Sequence, residues 1–108
     1  MAVRQTSLYT DIMVIESDIQ LSDGRTLHVY DTGDSGSADT WTILWHHGTP
    51  NIGAPPAPLL PAGARLNVRW IAYDRPGYGR STPCPGRNVA TAAGYTAQVA
   101  DALGIDRF

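Results

Sequence analysis

A chain of 108 residues has room for one small domain with a single modest core. Apolar residues make up 43% and charged residues 17%, which is too apolar a composition for intrinsic disorder. The formal charge of -2 excludes a general electrostatic pull toward nucleic acid or an anionic membrane, and neither is expected as a partner.

All eight basic residues are arginine, and they are unevenly spread. Residues 65–87 hold five arginines and one aspartate, whereas residues 1–64 hold two arginines and seven acids. A solvated surface, or salt bridges between the two halves, is the expected reading. A binding surface for an anionic partner is the sharper one, but no aromatic interleaving or nucleic-acid motif supports it. The single cysteine, Cys84, cannot form an internal disulfide, and a reducing, cytoplasmic setting is expected. The N-terminus, MAVRQTSLYTDIMVIESD, is broken early by acids and reads as neither a signal peptide nor a membrane span.

In chain order, residues 1–11 read as an N-terminal extension. Residues 12–31 read as a hairpin: Met13, Ile15, Ile19 and Leu21 alternate on one face, Glu16, Asp18 and Gln20 occupy the other, and SDGR supplies an Asp-Gly turn. TGDSGSADT is a loop by composition. WTILW, at 41–45, does not alternate and is expected to be a strand buried on both faces, as in a parallel sheet. VRWIAYD, at 68–74, is a second strand of that kind. The intervening stretch is long enough for a crossover helix, which its prolines make short and late, starting near Pro58. NVATAAGYTAQVADALGI predicts a helix capped by Asn88 and closed by Gly104. Val89, Ala92, Ala93, Thr96, Ala100 and Leu103 form its expected core stripe, and the final IDRF reads as the opening of another strand. Strands and helices in this alternation indicate an α/β class with a parallel sheet.

The candidate site lies where WTILW stops at HHGTP. Ligands meet open α/β sheets at the carboxyl ends of parallel strands. Gly48 permits close approach of the backbone, and Pro50 restricts Thr49 to extended conformations. The Thr49 amide can thereby be held toward a cleft, as an oxyanion hole requires.

HGTP at 47–50, followed by DRPGYGRS at 74–81, resembles the HG-x-P and D-x-x-G-x-G-x-S turns of the α/β-hydrolase family, with SDGRTLHVYDTG in the usual hairpin position upstream. The resemblance covers residues 12–108, so that residues 1–108 are expected to form a partial α/β-hydrolase core domain. It implies an antiparallel hairpin followed by parallel strands with crossover helices, and truncation before the nucleophile elbow. It also implies that the Thr49 amide is an oxyanion donor, that His47, Gly48 and Pro50 shape its loop, and that Asp74, Gly77, Gly79 and Ser81 form a structural turn bracing the neighbouring strand end.

No G-x-S-x-G-like elbow is present; GDSGS at 33–37 has the wrong spacing. The nucleophile, triad acid and catalytic histidine are therefore absent from these residues. The complete protein is expected to hydrolyse a small-molecule ester, amide, epoxide or similar substrate without a cofactor, and this chain alone to be inactive. The alternative is a non-enzymatic module, or half-protein, whose open sheet edge self-associates or pairs with a complementing chain. A metal site is disfavoured because adjacent His46 and His47 point opposite ways on a strand end, His28 is distant and Cys84 is flanked by prolines. A makeshift triad of Ser81, His47 and Asp74 is disfavoured too, because the glycines between Asp74 and Ser81 suit a structural turn.

Overall fold

The computed structural model describes residues 2–9, 12–34, 36 and 38–108, the first segment by its backbone alone. Five strands form one mixed sheet: β1 (Ala2–Tyr9), β2 (Ile12–Gln20), β3 (Thr26–Asp31), β4 (Trp41–Trp45) and β5 (Val68–Tyr73). Their spatial order is β1-β2-β3-β5-β4. The first three and the β3–β5 contact are antiparallel, while β4 and β5 run parallel. This is the antiparallel hairpin leading into parallel strands that the resemblance implied. β1 was not foreseen: its backbone pairs along β2 from Ala2 opposite Asp18 to Tyr9 opposite Ile12.

The β2–β3 turn closes as its sequence dictates. The Leu21 amide donates to the Arg25 carbonyl at 2.7 Å, Asp23 accepts from the Arg25 amide at 3.0 Å, and Gly24 takes a φ of 87°. Between β4 and β5 the chain makes a single 3-10 turn (Ala57–Leu59) and the short helix α1 (Leu60–Arg65), the late start expected from the prolines. Helix α2 (Val89–Ala102) opens on a reciprocal cap. Asn88 accepts from the Thr91 amide, and the Thr91 hydroxyl accepts from the Asn88 amide, both at 3.1 Å. It ends with Gly104 at φ 68°, its amide on the Asp101 carbonyl and that of Ile105 on the Ala100 carbonyl, so these two carbonyls near the helix end are satisfied.

Both sheet faces are covered. Ile19, Leu21, Leu27, Val29, Ile71 and Tyr73 pack beneath Tyr95 and Val99 of α2. On the other face Val14, Tyr30, Trp70 and Ala72 pack beneath Leu60 of α1. Gly63 lets α1 approach closely, since a Cβ there would lie 2.6 Å from Trp70 Nε1. Among the described residues no helix is long and apolar enough to cross a membrane.

Four expectations are corrected. The polar side of β2 is not a solvent face: Glu16 is 5% exposed, because α1 covers that side and His28 supplies hydrogen-bonding partners. Its Nε2 lies 2.8 Å from Glu16 Oε1 and its Nδ1 2.7 Å from Asp18 Oδ1. Conversely Met13 is exposed and Val14 is buried. The core stripe of α2 centres on Tyr95, Val99 and Ala100, while Val89 is 90% exposed and Ala93 also faces outward. Residues 105–108 form no strand, although Ile105 packs against the α2-side core. β4 is not buried on both faces as expected, because it is the outer strand, and Trp41 and Ile43 remain exposed on it.

Candidate functional site

Parallel β4 and β5 deliver two turns to one end of the sheet, and Asp74, directly after β5, joins them. It is 1% exposed, and its carboxylate accepts three hydrogen bonds. Oδ1 receives the Gly53 amide at 2.6 Å and the Tyr30 hydroxyl at 2.9 Å. Oδ2 receives the Arg80 amide at 3.0 Å. One side chain thus ties the segment after the HGTP turn, the DRPGYGRS turn and strand β3 together.

The glycines explain why this fits. A Cβ on Gly79, whose φ is 48°, would come 2.1 Å from Asp74 Oδ2. At Gly53 a Cβ would come 2.2 Å from the Tyr73 carbonyl carbon. Gly77 sits at φ 85°, a left-handed conformation that costs other residues energy. Ser81 closes the turn: its hydroxyl donates to the Asp74 carbonyl and accepts from the His28 amide at 3.0 Å.

His47 is buried at 4% exposure and braces the first turn against the second. Nε2 accepts from the Arg75 amide at 2.9 Å, and Nδ1 donates to the Gly48 carbonyl at 3.0 Å. The acceptor role of Nε2 fixes a neutral ring with its proton on Nδ1. The Arg75 guanidinium returns to the His47 carbonyl at 3.1 Å and stands 5.2 Å over the Tyr78 ring. Residues 48–51 form a tight turn with a cis Thr49-Pro50 bond and the Asn51 amide on the Gly48 carbonyl at 2.9 Å. The Thr49 hydroxyl bonds that of Tyr78. Among the described residues the Thr49 amide makes no hydrogen bond.

Ser81, His47 and Asp74 do not assemble as a triad, since the hydrogen bonds of each run elsewhere. His46 and His47 turn to different neighbours: the His46 ring meets Tyr73 edge-on at 5.5 Å, and that of His47 meets Tyr78 at 4.9 Å. Among the described residues no group of three histidine, cysteine or acidic side chains has metal-binding geometry. Cys84 is a hydrogen-bond acceptor for Arg25 at 2.7 Å and for the Tyr95 hydroxyl at 2.8 Å. Arg25 comes from the distant hairpin turn. The bond to Cys84 raises the Tyr95 pKa above its ordinary value, and burial raises that of Tyr73.

Burial, then the charge of Arg75, then His47 lower the pKa of His46 below its ordinary value. In an NMR titration His46 should therefore protonate at a lower pH than a free histidine, and Arg75→Gln should move its midpoint upward. An unchanged midpoint in the variant would remove Arg75 as a cause.

No family profile and no curated protein matches the chain. Among solved structures it is similar to a mutant haloalkane dehalogenase, DatA from Agrobacterium tumefaciens C58, at 19% identity and a TM-score of 0.49. That likeness covers 84% of this chain, and the chain spans 29% of the length of the dehalogenase.

Proposed function

We propose that these residues are the N-terminal part of an α/β-hydrolase core. The complete protein would hydrolyse a small ester, amide, epoxide or similar substrate by nucleophilic attack. The observation that carries this reading is the Thr49 amide, without an acceptor among the described residues, on a turn held at the carboxyl end of β4. A backbone N–H fixed in advance toward developing negative charge stabilises a tetrahedral intermediate without reorganising in the reaction. His47, Gly48 and Pro50 set the turn, and Asp74, Gly77, Gly79 and Ser81 brace it from β5. The nucleophile, acid and histidine belong to segments beyond these residues.

The 108-residue chain should then show no saturable turnover of activated esters above buffer. Saturable turnover abolished by Ser81→Ala would overturn this division of labour and restore the makeshift triad.

A second reading is favoured by β4, an outer strand with 73% of Trp41 and 39% of Ile43 exposed. Such an edge suits strand addition, either by another copy or by a complementing chain. Recovery of the polypeptide from its native source with a second chain attached would support this reading, and recovery alone would count against it.

A further inference from the structure

Between the end of β5 and the first turns of α2 lies a cavity of about 540 Å³. Tyr73, Val89, Ala92 and Tyr95 give it apolar walls, and Arg75 and Arg87 also line it. Both guanidiniums are anchored by neutral acceptors. Arg87 donates through Nε and Nη2 to the Pro76 carbonyl at 3.3 and 3.1 Å, and Arg75 donates to the His47 carbonyl. Among the described residues neither has a carboxylate partner, and no acid lines the cavity. Among the described arginines, only Arg25, with Asp23 at 3.2 Å, and Arg69, with Asp31 at 2.8 Å, have carboxylate partners.

Two cations held without counter-ions among the described residues, beside apolar walls, form a region of positive potential strengthened by the reduced dielectric. The amino end of α2, at Asn88 and Val89 of the lining, adds to it. The depressed pKa of His46, caused partly by Arg75, reports the same field.

We propose that this cavity binds a small organic carboxylate with an apolar tail, its head on Arg75 and Arg87 and its tail against Tyr73, Tyr95 and Ala92. Guanidinium groups present paired N–H donors that match a carboxylate, and the apolar majority of the wall suits an alkyl chain. The site needs no nucleophile, so it goes beyond the hydrolase reading, and a chain that hydrolyses nothing would still bind.

The test is an NMR titration of the 108-residue chain with hexanoate and with hexanamide, which has the same chain length and no charge. Hexanoate should bind saturably, shift the amides of Arg75, Arg87 and Val89, and weaken as sodium chloride is added. Hexanamide should bind at least about tenfold more weakly, the factor expected for a lost charge-assisted hydrogen bond. Arg75→Gln and Arg87→Gln should each weaken hexanoate while leaving hexanamide unchanged. Should Arg75→Gln fail to fold, Arg87→Gln and the comparison of the two ligands on the unaltered chain decide the matter. Equal affinity for both ligands, or hexanoate shifts that never saturate, would overturn the proposal. Neither outcome bears on the absence of ester turnover, which tests the hydrolase reading separately.

Discussion

Asp74→Ala is expected to destabilise the chain by about 3–5 kcal/mol, the range for removing one partner from a buried charged network. The carboxylate is 1% exposed and accepts from the Gly53 amide, the Tyr30 hydroxyl and the Arg80 amide. Deleting it leaves the buried Gly53 and Tyr30 donors without an acceptor, each costing roughly 1–3 kcal/mol, and frees the part-buried Arg80 amide as well. A domain of this size has only about 5–15 kcal/mol in total, so a large share of its stability is at stake. Asp74→Asn should cost less, since it keeps one carbonyl acceptor, yet its amide group then faces an N–H donor. Urea unfolding followed by tryptophan fluorescence measures both. Midpoints within error of the parent would show that the two turns are held without Asp74.

The second large effect concerns association. β4 is an outer strand of five residues, Trp41–Trp45, with no charge and no proline among them. Natural edges are commonly blunted by charge, proline, a bulge or a covering segment, and an apolar edge left open is a template for pairing. The chain should therefore associate as its concentration rises. Ile43 is 39% exposed near the middle of the strand, and Ile43→Lys places a charge in the pairing face. Association should weaken by at least about tenfold, or 1.4 kcal/mol, in sedimentation velocity. A parent chain that stays monomeric at every concentration and melts in one sharp transition would remove the edge as an interaction surface.

Local chemistry was legible where it is decided by neighbouring residues. The Asp-Gly turn, the Asn88 cap, the Gly104 stop and the late start of α1 each follow from a few adjacent side chains, and each is present. Apolar runs without alternation marked β4 and β5 as a parallel pair, but the burial on both faces expected with that pattern fails for the outer strand β4. β1 was hidden because its sequence, AVRQTSLY, shows no sustained apolar alternation, and its strand identity comes from the partner it finds in β2.

The remaining differences share a tertiary cause. Glu16 and Asp18 read as a wet face because no local pattern shows that His28, ten and twelve residues away in sequence, will lie between them. In α2 the run of alanines fits more than one stripe, and the choice falls to Tyr95 and Val99, whose larger side chains fill the core beneath the helix. Within the candidate site, the motifs pointed to the two turns but not to their junction. Gly53 lies outside both motifs. Its need to be glycine arises from the Tyr73 backbone beside it, and its tie to Asp74 spans 21 residues.

The most direct measurement is the intact mass of the product made in the native organism. If these residues are the oxyanion-loop part of a hydrolase, that mass will be well above the 11.6 kDa of the chain, and the sequence after Phe108 will carry a strand and a nucleophile elbow. A product of 11.6 kDa would contradict the hydrolase reading and leave the open edge of β4 as the feature to pursue.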